Sequence, residues 1–271
     1  MPELPEVETT LRGIAPFIEG QRLTEVVVRN ASLRWPIPVS RLKALIGNKV
    51  ELAERRAKYI LLHTKADCIM LHLGMSGSLR VLDAGEPAGK HDHVDLQFGN
   101  KLVRFNDPRR FGCCLVLQEP INKHKLLFSL GPEPLSTGFD GDHLFKASRG
   151  RTVAIKNFIM DGKIVVGVGN IYASESLFAA GIRPTVAASK ISRARYQKLA
   201  HEIKAVLTKA IDAGGTTLAD FSQTDGKPGY FSQELCVYGR AGEACFQCGT
   251  ELKSKVIGQR NTFFCVKCQS F

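Results

Sequence analysis

Long apolar runs are missing from this 271-residue chain: none reaches the roughly 18 residues that a membrane-spanning helix requires. The first thirty residues lack the apolar stretch of a secretory leader, because Glu3, Glu6, Glu8, Arg12 and Glu19 interrupt it, so a cytosolic location is expected. Acidic residues are scarce beside basic ones, 26 against 37, leaving a formal charge of +11. That excess favours a polyanionic partner, with nucleic acid the leading candidate, although a ribosomal or membrane-surface protein would show the same balance. No internal repeat and no low-complexity segment interrupts the chain. Disulfides are not expected of the eight cysteines in a reducing compartment. Cys68, Cys113, Cys114 and Cys236 read as half-buried strand residues, and the other four are arranged for metal. The length suffices for two domains, each with its own core.

The stretch that organises the rest is Pro2-Glu3-Leu4-Pro5-Glu6-Val7-Glu8. Methionine is normally trimmed before so small a residue as proline, and the mature chain would then begin with the secondary amine of Pro2. An α-amino group has a pKa around 8, so a usable fraction is nucleophilic near neutrality, whereas a lysine at about 10.4 is mostly protonated. A secondary amine condensed with an aldehyde-level carbon gives a cationic iminium, the electron sink that an elimination needs. Glu3 and Glu6 lie close in sequence, so one carboxyl could act as general acid while another orients the amine. The same residues also suit the first turn of a helix, where proline costs no hydrogen bond and acids favour the dipole; the motif alone does not separate the two readings.

Val7, Leu11, Ile14 and Ile18 recur at helical spacing and Gly20 supplies a stop. Short β-rich runs follow at 23–28, 50–53, 59–63, 69–73, 78–82, 94–98, 102–105 and 114–117, the pattern of an antiparallel sandwich or barrel. Gly131-Pro132-Glu133-Pro134-Leu135 marks a hinge, after which Tyr196, Leu199, Ile203, Val206 and Ala210 form one helical face, with Ser192 as cap and Gly214 past the end.

Several loops carry candidate chemistry. Lys58, in Arg55-Arg56-Ala57-Lys58-Tyr59, belongs to a charged turn that either faces water or reaches a phosphate near the N-terminal amine. Met75, flanked by glycines, suits a loop tip able to wedge between bases. In Lys90-His91-Asp92-His93 alternate residues face opposite ways, so phosphate contact through His91 is preferred over metal. Asn106 to Gly112 forms a turn whose Arg109 could occupy a vacated base position while Phe111 stacks. Val165 to Tyr172 holds half of a dinucleotide fingerprint, a weak signal; its glycines would let backbone approach a phosphate, and Asn170 would cap the helix that follows. Cys245-Phe246-Gln247-Cys248 and Cys265-Val266-Lys267-Cys268, sixteen residues apart, have the spacing of a four-thiolate zinc site. With all four positions filled by protein, the ion would be structural. Lys253, Lys255, Arg260 and Asn261 between the pairs would form a basic hairpin, suited to a DNA groove or to a protein contact.

In this order and over essentially the whole chain, the Pro2 to Glu8, Arg55 to Tyr59, His72 to Gly77, Lys90 to His93, Asp107 to Gly112, Val166 to Tyr172 and four-cysteine motifs closely resemble those of the bacterial formamidopyrimidine-DNA glycosylase family. The resemblance implies an α+β fold: an N-terminal β-sandwich with flanking helices over 1–132, a linker over 133–150, a helix-two-turns-helix domain over 151–235 and a zinc-finger hairpin over 236–271. It implies a monomeric glycosylase and abasic-site lyase acting on double-stranded DNA that holds oxidised purines or abasic sites, with one structural zinc and no diffusible cofactor. Pro2 would be the Schiff-base nucleophile, Glu3 the acid, Lys58 an aid to β-elimination and Arg260 to δ-elimination. His91, Arg109, Arg151, Lys156 and Asn170 would bind DNA, Met75, Arg109 and Phe111 would fill the space of the flipped base, and Asp225 to Phe231 would form a mobile loop over it. Asn157 stands where many relatives have proline, and only Arg149 and Arg151 remain of a lysine-rich run. Two rivals are an endonuclease VIII-type enzyme for oxidised pyrimidines, which Leu4 and the Met75, Arg109, Phe111 set argue against, and a non-catalytic damage-binding zinc protein, favoured only if Met1 is retained.

Overall fold

The N-terminal helix α1 (Leu4–Ile18) starts where Glu3 and Glu6 form a capping box, with Pro5 harmless in the first turn. This start lies three residues ahead of Val7, because the cap rather than the apolar repeat sets it. The computed structural model describes residues 2–118, 120–216 and 231–270. Asp225 to Tyr230, expected as the loop over the damaged base, lie outside them.

The chain divides into two units, Met1–Phe128 with Ala213–Ser232, and Ser129–Asp212 with Gln233–Phe271. In the first, β1 (Glu25–Val28) is followed by a short helix α2 (Val39–Ala44) and then by β2 (Leu52–Arg56), β3 (Tyr59–His63), β4 (Cys68–His72), β5 (Ser78–Asp83), β6 (Asp92–Phe98), β7 (Lys101–Asn106) and β8 (Cys113–Leu117). They form two antiparallel four-stranded sheets, ordered β1-β6-β7-β5 and β2-β3-β4-β8. The expected sandwich is present. Val94, Leu96, Val103 and Phe105 of one sheet share a core with Ile60, Leu62, Ile69 and Leu71 of the other, joined by Val7, Leu11, Ile14 and Ile18 of α1. Each such side chain contributes about 2 kcal/mol by leaving water. Helix α1 packs on β2 and β5, an edge strand from each sheet, which blunts edges otherwise open to pairing.

Two local expectations change. Strand β2 runs to Arg56 rather than stopping at Ala53, because Arg55 ion-pairs with Glu8 of α1 at 2.8 Å and so tolerates its half-buried place; the turn itself falls on Ala57, at φ +56°, and Lys58. Cys68, Cys113 and Cys114 are fully buried in strands, whereas Cys236 lies outside any strand.

The second unit contains α3 (Gly141–Ser148), α4 (Ile155–Met160), α5 (Asn170–Ala179) and α6 (Arg193–Asp212), then the hairpin β9 (Lys253–Ile257) and β10 (Arg260–Phe264). The expected helical face of α6 is buried through Tyr196, Leu199, Ile203 and Ala210, and the Ser192 hydroxyl accepts the Arg195 N–H at its start. Helix α3 falls within 133–150, expected as a linker, and packs on α6. The hairpin turns on Gly258 and Gln259, both at positive φ, as a two-residue connection requires. None of the described helices is long and apolar enough to cross a membrane.

Candidate nucleic-acid interface and metal centre

Pro2 is buried one residue ahead of the Glu3 cap. Glu6 fixes that geometry: its Oε2 accepts the Glu3 N–H at 2.8 Å, and its Oε1 accepts the Thr216 N–H at 2.9 Å. Gly215, at φ +85°, lies so close that a Cβ there would meet Glu6 Cγ at 3.3 Å, and its carbonyl accepts the Phe231 N–H. The N-terminal turn is thus tied to both flanks of 217–230, a connection across 210 positions that no sequence spacing signals. Lys58 sits half-buried on the β2–β3 turn, which Arg55 secures to α1 through Glu8 and to the turn itself through the Ala57 carbonyl.

A second group forms around a cavity of about 650 Å³ lined by Leu33, Arg34, His72, Met75, Arg109 and Phe111, among others. The Arg109 guanidinium lies 4.8 Å from the centre of the exposed Phe111 ring. Both ride on a turn braced from below by fully buried Asp107, whose Oδ1 accepts the Ser76 hydroxyl and whose Oδ2 accepts the Gly112 N–H. Ser76 Oγ in turn accepts the Arg109 N–H at 3.2 Å, so the Met75 and Arg109 loops form one braced ridge. Apolar side chains beside cations suit a nucleobase next to phosphate. His72 and Arg34 were not singled out from sequence. The His72 ring packs 5.0 Å from Tyr59, its Nδ1 accepts the Gly74 N–H, and burial, then the Lys58 and Arg34 charges, push its pKa down to about 4. The imidazole is therefore neutral, with Nε2 carrying the proton.

The Lys90 to His93 run does not alternate as expected, because a β-bulge between Asp92 and Val94 interrupts the strand. Asp92 and His93 are buried, Asp92 pairing with Arg80 and His93 with the Asp107 carbonyl, while Lys90 is exposed and His91 half-exposed.

In the second unit Arg151 and Arg260 are exposed. Lys156 is not: at 0% exposure its ammonium donates to Asn170 Oδ1, Thr262 Oγ1 and the Asn261 carbonyl. The ammonium expected to meet DNA is thus enclosed among these acceptors, where it orients Asn170 and the finger strand. Asn170 is likewise not the cap of α5 but its first residue; Gly169 occupies the cap position, and the Asn170 amide is drawn to Lys156 and to the Asn261 carbonyl. This fastens α5 to the strand that carries Arg260. Glu175, also missed from sequence, accepts the N–H groups of Cys236, Val237 and Tyr238; burial raises its pKa and those donors oppose the rise.

Cys245, Cys248, Cys265 and Cys268 converge with all sulfurs within 4.8 Å, including pairs at 3.9 and 3.5 Å. These separations exceed any disulfide bond and match tetrahedral zinc, where bonds of about 2.3 Å place sulfurs about 3.8 Å apart. The donor set fits one structural zinc ion, which would cross-link the two knuckles and leave no open coordination position. Phe178, Val237 and Leu252 enclose it.

Comparison with known proteins matches residues 1–114 to the formamidopyrimidine-DNA glycosylase N-terminal domain, 130–222 to the formamidopyrimidine-DNA glycosylase H2TH domain, and 242–270 to a zinc finger found in FPG and IleRS. A curated formamidopyrimidine-DNA glycosylase of Pseudomonas fluorescens (strain SBW25) is 60% identical over 270 residues, covering 99% of this chain and all of that one. Among solved structures, the MutM (Fpg) protein of Thermus thermophilus aligns with a TM-score of 0.88 at 34% identity, over 99% of this chain and 98% of that one. A Lactococcus lactis FPG mutant in complex with Fapy-dG-containing DNA aligns at 0.92 and 31%, over the whole of both chains. The Lactococcus lactis Fpg in complex with abasic-site DNA aligns at 0.91 and 31%, over 99% of this chain and all of that one. The chain belongs to the formamidopyrimidine-DNA glycosylase family.

Proposed function

We propose that this protein is a base-excision glycosylase and abasic-site lyase that removes oxidised purines, 8-oxoguanine and formamidopyrimidines, through its N-terminal proline. A glycosidic carbon inside a duplex is out of reach, so the lesion must leave the stack at a cost of a few kcal/mol, and glycosylases are among the standard cases of such flipping. Met75, Arg109 and Phe111 offset that cost by filling the vacated space. The Pro2 nitrogen then attacks C1′ of the sugar, the bond to the base breaks, and Glu3 delivers the proton that the sugar or base requires. The resulting iminium acidifies the C2′–H bond; loss of that proton expels the 3′ phosphate, and a second elimination expels the 5′ phosphate. Lys58 assists the first elimination and Arg260 the second. His91, Arg151 and Asn170 bind phosphates, with Lys156 acting through Asn170. The division of labour follows the chain: chemistry in 1–132, duplex binding in 151–235 and in the finger 236–271. The enzyme works as a monomer in the bacterial cytoplasm, at the nucleoid.

The observation that carries this reading is the geometry of the first turn, where a buried Pro2 precedes a Glu3 whose backbone is locked by Glu6. The test is borohydride trapping on an 8-oxoguanine duplex, with mass spectrometry of the cross-linked peptide. The expected adduct is on Pro2 and disappears in Pro2→Gly. Cleavage without any reducible adduct at the first residue overturns the mechanism, and preference for a thymine-glycol duplex overturns the assignment to purines.

A further inference from the structure

On the sheet β1-β6-β7-β5 the core is lined by Val94, Leu96, Val103 and Phe105. The intervening residues Asp95 and Arg104, directly paired across β6 and β7, should then face water. Arg104 is nevertheless 1% exposed. The loop 84–91 between β5 and β6 accounts for this: Arg104 Nη1 donates to the Pro87 carbonyl at 2.9 Å and Nη2 to the Glu86 carbonyl at 2.8 Å. The same guanidinium grips Asp95 with two bonds, from Nε and Nη2, both 2.8 Å long. Asp92 secures the far end of the loop, its Oδ2 accepting the Gly89 N–H at 2.8 Å, while Arg80 and Asn106 donate to its Oδ1. A β-bulge between Asp92 and Val94 breaks the alternation and lets Asp92 and Asp95 approach one arginine, with Asp92 3.7 Å from Nη1.

A buried ion network is seldom needed for stability alone, since well-packed apolar residues serve as well. What apolar residues cannot do is hold two loop carbonyls. The loop so held ends in exposed Lys90 and half-exposed His91, whose carbonyl accepts the Asp107 N–H beside the Arg109 turn.

We propose that Arg104, seated by Asp92 and Asp95, is a positioning residue for DNA binding that fixes loop 84–91 so that Lys90 and His91 meet a phosphate in a preset geometry. The proposal rests on the reading of His91 as a DNA contact. Arg104→Lys keeps a cation between the carboxylates but lacks the planar fork that reaches both carbonyls. It should be compared with His91→Ala and the double variant for binding to a duplex holding a tetrahydrofuran abasic analogue, over a range of salt. Each single variant is expected to weaken binding about tenfold, with the double variant within about twofold of either, and Arg104→Lys, which also frees Lys90, is expected to lower the salt slope by about one phosphate contact. Amide exchange over 84–91 is expected to accelerate at least about tenfold in Arg104→Lys. Unchanged exchange, wild-type affinity in Arg104→Lys, or losses that multiply in the double variant each overturn the proposal. Wild-type affinity in His91→Ala removes the phosphate reading of His91 itself and, with it, any role of Arg104 through that residue. Should Arg104→Lys fail to fold, Asp95→Asn, which removes half of the bidentate seat, is subject to the same outcomes.

Discussion

Burial holds the His72 imidazole neutral, with Lys58 and Arg34 adding to the effect, and its folded pKa of about 4 lies below the ordinary 6.5. The unfolded chain therefore binds the proton first as pH falls. The stability contribution is complete above pH 6.5, erodes between 6.5 and 4, and is lost below, an expected difference of about 3 kcal/mol. His72→Asn offers an Oδ1 for the Gly74 N–H without the titration; its thermal midpoint is expected to lose less than that of the wild type between pH 7 and 4, and parallel curves would refute the assignment. Lys156 follows the same logic of environment: its position in the chain marks a cation, but only its three acceptors show that it orients Asn170 and the finger strand rather than meeting solvent. The four-cysteine set and the helix behind Pro2 were legible because both depend on residue type and near-neighbour spacing. Glu175 and Arg104 were not, because their partners lie tens of positions away or on backbone atoms.

Among elements, the strands were the most legible. Tyr59–His63 was bounded as observed, and the seven others differ only at their ends, where ion pairs such as Arg55 with Glu8 extend a ladder past the apolar run. Turn residues decide how these strands present chemistry. Gly74 at φ +64° sits against the neighbouring turn so closely that a Cβ would lie 2.5 Å from Gly112 N and from the Phe111 carbonyl carbon. The loops bearing Met75 and Phe111 are therefore in backbone contact. Gly74→Ala is expected to cost about 2 kcal/mol, from both the backbone conformation and the overlap, and to lower the thermal midpoint by roughly 5 °C. Calorimetry measures the loss, and an unshifted midpoint would show that the two loops do not brace each other.

At the scale of the whole molecule, the finger depends on a metal that ties together residues 245–248 and 265–268 and supports the apolar cluster with Phe178 of α5. Verified removal of zinc is expected to unfold the β9–β10 hairpin and weaken binding to lesion-containing duplex at least about tenfold, while amide protection of α1 and the sandwich persists. Undiminished affinity in the metal-free protein would deny the finger a part in binding. The net charge of +11 explains attraction to a polyanion but not where it binds. What the sequence by itself determined is everything governed by local period and spacing: the eight strands, the helix behind Pro2, the thiolate set and the family to which these motifs point. Only the tertiary structure decided which charged groups are enclosed and whom they serve, as with Glu6 reaching Thr216, Lys156 turned to Asn170 and Arg104 holding loop 84–91. The physical reason is that a charge leaves water only where folding brings it partners, and those partners are chosen by strand pairing and helix packing between segments far apart in the chain.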